Sequence, residues 1–295
     1  MEAIAPVLIS GIVTGCIYAL VGMGLVAIYK CTRVLNFAQG ELVLLGAYLC
    51  WTFMDYFHLP IWIGILVGFV IAAGMGVLIQ LIFIRPLIGQ PVFSLIILTI
   101  GLSWLLRGIV FSIWGVEPLG DVPIFPKTDI GTIGGVGVGW EEFGPLAISL
   151  AFAAGSLAFF KYSSLGTRMR ATSEDAQVAQ SLRVNVSMVF TVAWLIGAVI
   201  AAAGGVLLAT KTIFNIHLAS MGLKCLAVVF LGGLESFGGT FLAGLTIGVA
   251  EALAAYYLDP LVGGGTKEVF AYALVVIILL FRPYGFAGEK EIERV

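Results

Sequence analysis

A chain of 295 residues that is 60% hydrophobic and only 11% charged does not have the composition of a soluble globular protein, which runs at roughly 45–50% apolar and about 25% charged. Its mean hydropathy is +1.10, and its apolar residues come in long blocks rather than amphipathic stripes. The fold class is therefore an all-α, polytopic transmembrane helical bundle forming a single domain over 1–295. At about 20 residues per pass, no soluble catalytic domain of about 100 residues or more has room here. The net charge of −2 gives no basis for nucleic-acid binding.

The N-terminal stretch Met1 to Gly11 carries Glu2 and no basic residue before its apolar run. That is unlike a cleaved secretory signal, so the first span is expected to begin there. Apolar runs predict about nine spans (eight to ten), near 4–29, 37–56, 61–83, 93–114, 143–160, 188–210, 222–235, 239–257 and 268–282. Placing the segments around Lys30 and Arg33, Arg85, 161–187 and 282–295 in the cytoplasm gathers ten basic residues there. These include Arg168, Arg170, Lys290 and Arg294. Lys127, Lys211 and Lys267 stay outside. This bias predicts an external N-terminus and a cytoplasmic C-terminus.

Two loops stand out. The external loop, about 115–142, is rich in Gly and Pro and reads as an irregular, acidic cap. The cytoplasmic loop, about 161–187, is the most polar stretch of the chain. In it Thr172 or Ser173 is expected to N-cap a short helix with Glu174 and Asp175 in its first turn. Ala176, Val178, Ala179 and Leu182 give that helix a modest apolar face, suited to docking on a partner. A helix lying on lipid headgroups is the other reading, and the two acids fit an anionic surface poorly.

Small residues at Gly11/Gly15, Gly64/Gly68, Gly244/Gly248 and throughout 197–205 predict closely packed helices. The segment 222–257 reads either as two tight spans or as a re-entrant pair around the Gly-rich junction LGGLESFGGT.

A charge at the bilayer centre costs about 2.5–3.5 kcal/mol on insertion scales, so each one needs a reason. Lys224 and Glu251 fall at similar depth on adjacent segments, in the outer half. They either line a path for a polar, zwitterionic solute or form a structural ion pair. Asn36, Gln39 and Glu41 stand where a span begins on the cytoplasmic side, as an inner gate or a helix cap. Arg107 is expected to snorkel to the outer surface, and Glu235 to sit at a cytoplasmic turn.

Cys16, Cys31, Cys50 and Cys225 form no C-x-x-C pair, and His58 and His217 are far apart. No metal or cofactor is expected. Paired-His, G-x-S-x-G and Walker A motifs are absent from the sequence. If transport here is driven by ATP, the ATPase is another chain.

These features together resemble the inner-membrane permease subunits of bacterial ATP-binding-cassette importers for branched-chain amino acids, of the leucine/isoleucine/valine type. The resemblance runs nearly end to end. It is carried by Tyr18-Ala19-Leu20, Gly24-Leu25, the NFAQGE stretch from Asn36 to Glu41 and Gly46-Ala47-Tyr48. Further matches are Arg85-Pro86-Leu87, Gly166 with Arg168, Arg170 and Ala171, and Gly222-Leu223-Lys224. Leu231-Gly232-Gly233-Leu234, Glu251, Arg282-Pro283 and Gly285-Phe286 complete it. Two departures are visible. Arg183-Val184-Asn185 stands where the family tends to have Gly-hydrophobic-Asn, and Glu235 replaces a small residue.

The resemblance implies a bacterial inner-membrane subunit that works with a second related permease, two ABC ATPases and an external solute-binding protein. With the intramembrane polar groups above, the expected pathway includes Asn36, Gln39, Glu41, Lys224 and Glu251. The cap and apolar face of the 161–187 loop place the expected ATPase coupling at Thr172, Ser173, Glu174, Asp175, Ala179, Leu182 and Arg183. The alternative is a self-sufficient channel or secondary carrier for small polar solutes such as urea or amides, which would have little use for the 161–187 loop. A membrane anchor for an enzyme complex would be expected to show paired helical histidines.

Overall fold

The computed structural model describes residues 4–88, 90–133, 136–282 and 285–288. Pro283, Lys290 and Arg294 of the readings above lie outside the described residues. The chain opens with α1 (Ile4–Thr32) and α2 (Gln39–Trp51), the latter prolonged by a π-helical turn to Tyr56. Then come α3 (Ile61–Ile79), with a π-helical and a 3-10 turn reaching Leu87, and α4 (Val92–Trp114). A hairpin of β1 (Asp129–Ile133) and β2 (Val136–Gly139) precedes α5 (Trp140–Tyr162), α6 (Ser164–Glu174) and α7 (Ala176–Ser181). Four more helices follow: α8 (Val186–Ala209), α9 (Leu218–Gly232), α10 (Phe237–Val262) and α11 (Thr266–Phe281).

Among the described residues six helices are long and apolar enough to cross a bilayer: α1, α3, α4, α5, α8 and α10. The remaining three predicted spans coincide with the shorter α2, α9 and α11. The 15 residues of α9 reach only about 22 Å of a roughly 30 Å hydrocarbon core.

The core is built around α1, which is buried almost continuously from Gly11 to Thr32 and packs on α5, α8, α9 and α10. Small residues permit this. A Cβ on Gly15 would meet the Gly244 carbonyl oxygen at 2.7 Å, and one on Gly11 the Ala252 Cβ at 2.9 Å. The predicted glycine pairs of α1 and α10 thus face each other, bringing the two backbones into contact. On α3, Gly64 and Gly68 receive Met54 and Cys50 in the same way.

One end of the bundle, here the basic end, carries Lys30, Arg33, Arg85 and 161–187. The loop between α4 and α5 marks the other, the hairpin end. That loop is not wholly irregular: β1 and β2 pair antiparallel, with Asp129 opposite Gly139. It is tied to the segment before α9 by a bridge between Gly120 and Phe214 and by Lys211 and Glu142, 3.6 Å apart.

The 161–187 segment also differs from expectation. Thr172 and Ser173 do not cap a helix; they lie in the last turn of α6, which Ser163 caps through Gly166 N–H at 2.8 Å. Asp175 is the N-cap of α7, accepting from Gln177 N–H at 2.8 Å and Val178 N–H at 2.9 Å. A carboxylate satisfies those two free N–H groups and also complements the helix dipole, so the break falls there. α7 ends in a left-handed residue, Arg183 (φ 63°), with Val184 N–H returning to the Ala179 carbonyl at 3.0 Å. This is the position that glycine takes in helix-ending motifs. Arg183→Gly is expected to raise stability by up to about 1 kcal/mol, whereas Arg183→Val lowers it by a similar amount. Denaturant unfolding of the purified chain would measure the difference.

Candidate functional site

Tyr18, the central residue of the 29-residue α1, meets Lys224 of α9 and Glu251 of α10. Its hydroxyl donates to Glu251 Oε2 at 3.2 Å, and Lys224 Nζ lies 2.9 Å from Glu251 Oε1. The ammonium also stands 5.7 Å from the centre of the Tyr18 ring. All three are buried. Burial of this kind is tolerable only because each charge has its partner.

The pair sits near the middle of α10 and within the first half of α9, where the sequence places both residues near the outer ends of their segments. Glu251 is about 21 Å from the start of α10 and about 16 Å from its end, because α10 runs on to Val262. α9 begins only at Leu218, after an irregular stretch, so Lys224 is carried inward to meet it.

A second polar cluster lies beside the first. After the exposed Arg33 the chain does not leave the bundle; residues 34–38 form irregular backbone before α2 begins, with Val34, Asn36 and Ala38 buried and Leu35 and Phe37 half-buried. Asn36 Oδ1 accepts from Ala38 N–H at 3.1 Å, and its Nδ2 donates to Gln39 Oε1 at 3.0 Å. Thr99 Oγ1 of α4 donates to the Leu35 carbonyl at 3.1 Å. Such backbone is allowed at membrane depth only where protein groups satisfy it.

Glu41 is consequently not at the membrane surface. It accepts from Arg107 Nε at 2.9 Å and Nη2 at 2.5 Å, at a level about 10 Å below the end of α4. Arg107 does not snorkel; its guanidinium is held by Glu41 and lies 5.6 Å from the Trp104 ring centre. Glu41 Oε2 and Gln39 Nε2 are buried without a hydrogen-bond partner among the described residues. The two clusters touch through α2 and α9, since a Cβ on Gly40 would lie 2.7 Å from Leu223 Cγ, the neighbour of Lys224.

At the basic end Arg33, at the exit of α1, pairs with Glu235 of the α9–α10 turn and donates to the Ser173 carbonyl at 3.2 Å. Lys30 donates to the Glu235 carbonyl at 3.3 Å. Glu235 does lie at the turn, but it is held in an ion pair that joins α1, α6 and α9. Of the coupling candidates, Thr172 is turned inward, its hydroxyl on the Arg168 carbonyl at 2.9 Å, and Ala179 is 2% exposed. Glu174 and Asp175 are exposed. Val178 and Leu182 are 55% and 72% exposed, so the apolar face divides between the chain's own core and the outside.

Sequence reasoning missed the pairings of Tyr18, Arg107 and Arg33. Tyr18 had a signal in its motif, and the others had one in the need of each buried or interfacial charge for an opposite.

A family model described as the permease component of branched-chain amino acid transport systems matches residues 7–280. The chain belongs to that family. LivH of Escherichia coli, a high-affinity branched-chain amino acid transport system permease protein, is 30% identical over 97% of this chain and 96% of its own length. BraD of Pseudomonas aeruginosa, with the same description, is 28% identical over 98% and 97%. A probable branched-chain amino acid transport permease of Methanocaldococcus jannaschii is 26% identical over 98% and 95%. As a member of this permease family, the chain is a membrane component of amino-acid transport.

Proposed function

We propose that this permease is one membrane half of an ATP-driven importer for branched-chain or related small amino acids, with ATP hydrolysis on partner chains. The partners are a second related permease, two ABC ATPases and an external solute-binding protein, as the resemblance implies. The observation that carries the reading is the buried Lys224–Glu251 pair between α9 and the middle of α10, in a chain of this family. A zwitterionic amino acid offers a carboxylate and an ammonium, the same two charges that Lys224 and Glu251 now offer each other. The pair can therefore exchange partners with a passing solute without stranding either charge. The unpaired Gln39 Nε2 and Glu41 Oε2 supply further polar contacts along the same α2–α9 seam. The basic end faces the cytoplasm in this reading, and α7 with its exposed Val178 and Leu182 meets the ATPase.

Two measurements test this. Co-expression with a second related permease, two ABC ATPases and a solute-binding protein, followed by reconstitution into proteoliposomes, should give uptake that depends on ATP and on the binding protein. ATP-independent uptake by the chain alone would favour a channel or carrier. Separately, a cysteine at Asp129 should react with an impermeant thiol reagent from outside intact cells, and one at Asp175 should not. The natural Cys16, Cys31, Cys50 and Cys225 are all buried, so background labelling should be low. Equal labelling at both positions would overturn the orientation.

A further inference from the structure

Three cations line one pocket at the basic end: Lys30 of α1, Lys161 of α5 and Arg170 of α6. Leu157, Phe160 and Phe237 supply its apolar walls, and among the described residues no acidic side chain lines it. Its volume is about 410 Å³. Among the described residues no carboxylate pairs with any of the three. Lys30 reaches only the Glu235 carbonyl at 3.3 Å, while the Glu235 carboxylate is taken by Arg33. Lys161 Nζ stands over the Tyr162 ring at 5.3 Å. Arg170 Nη2 donates to Thr167 Oγ1 at 3.1 Å, but its buried Nη1 has no partner among the described residues. A buried guanidinium donor among like charges calls for an anion with several acceptor oxygens.

The surroundings narrow the kind of anion. Leu150, Ala154, Leu157 and Lys161 fall at i, i+4, i+7 and i+11, on one face of α5. Leu150 and Leu157 are each 42% exposed, so an apolar strip about 16 Å long leads from the pocket toward the bundle's middle. That is about half the thickness of a hydrocarbon core. A free phosphate would use the cations and ignore the strip; an amphiphile uses both.

We infer that this pocket binds the phosphate headgroup of an anionic phospholipid, with an acyl chain lying along the exposed face of α5. Assigning it to the cytoplasmic leaflet rests on the orientation proposed above, whereas binding itself does not. Basic pockets between spans on that side suit such headgroups, each nearby cation adding attraction.

Native mass spectrometry of the purified full chain tests this with phosphatidylglycerol and phosphatidylcholine of identical acyl chains. The wild-type chain should retain phosphatidylglycerol about tenfold more strongly or better. Lys161→Gln with Arg170→Gln should bring the two lipids to parity. Because Arg170 is partly buried, Lys161→Glu at an exposed position must also weaken the preference on its own. Equal retention of both lipids by the wild-type chain would overturn the inference. So would competition by inorganic phosphate as effective as that of the lipid. A preference that appears only after removal of residues 289–295 would give the pocket to the chain's own Glu289 and Glu291, and would overturn it as well. None of these readouts depends on uptake or on the ATPases, so failure here leaves the transport reading standing.

Discussion

Lys224→Met should leave a chain destabilised by roughly 3 kcal/mol or more, and Glu251→Gln should do similar damage, since removing one partner strands the other in a buried site. Tyr18→Phe removes one hydrogen bond to Glu251 and should cost only about 1 kcal/mol. Unfolding of the purified variants in lipid nanodiscs would rank them. The double variant Lys224→Met with Glu251→Gln then separates two roles. With both charges gone nothing is stranded, so stability should largely return. If the charges receive the solute, this well-folded variant should assemble with its ATPases and still transport at a small fraction of the wild-type rate. If it transports normally, the pair only fastens α9 to α10, and the pathway runs elsewhere. Single variants as stable and active as wild type would show that the two residues are not energetically coupled.

How far the sequence reveals this arrangement depends on which physical constraint each feature obeys. Spans that touch lipid must be apolar without interruption, so 61–83, 93–114 and 188–210 overlie α3, α4 and α8 closely. Glycine spacing is nearly as informative, because contact between α1 and α10 requires small residues on both helices at matching intervals. The Lys224–Glu251 contact was legible too, as two opposite charges on neighbouring apolar segments. Glu41 and Arg107 were not. Their meeting depends on residues 34–38 staying against the protein, and irregular backbone has no periodicity to read. The hairpin after α4 was hidden by its glycines, which weaken any strand pattern. The cap at Asp175 was misplaced by two or three residues because Thr172, Ser173 and Asp175 are all competent caps. Asp175 prevails because its carboxylate takes two free N–H groups and complements the helix dipole.

The burial pattern around α7 sharpens what a docking variant should do. Ala179→Asp would place a carboxylate where Ala179 is 2% exposed, so it should unfold the α6–α7 segment and report on stability rather than on docking. Val178 and Leu182 are the informative positions, since their side chains face away from the bundle. Burying them against a partner is worth about 1.5–3 kcal/mol each. Val178→Asp with Leu182→Asp should therefore weaken ATPase association by about hundredfold or more. Membrane insertion and the unfolding midpoint should stay near wild type. Arg33 adds a second consequence. It joins Ser173 at the end of α6 to Glu235 at the α9–α10 turn, so a push on α7 has a direct contact route to the helices bearing Lys224 and Glu251. Arg33→Gln should accordingly keep the ATPases bound while lowering uptake, the opposite signature from the Val178 and Leu182 variant. Pull-down of the ATPases beside ATP-driven uptake distinguishes the two. Retention of both binding and uptake in the Val178→Asp with Leu182→Asp chain would show that α7 is not the element that meets the ATPase.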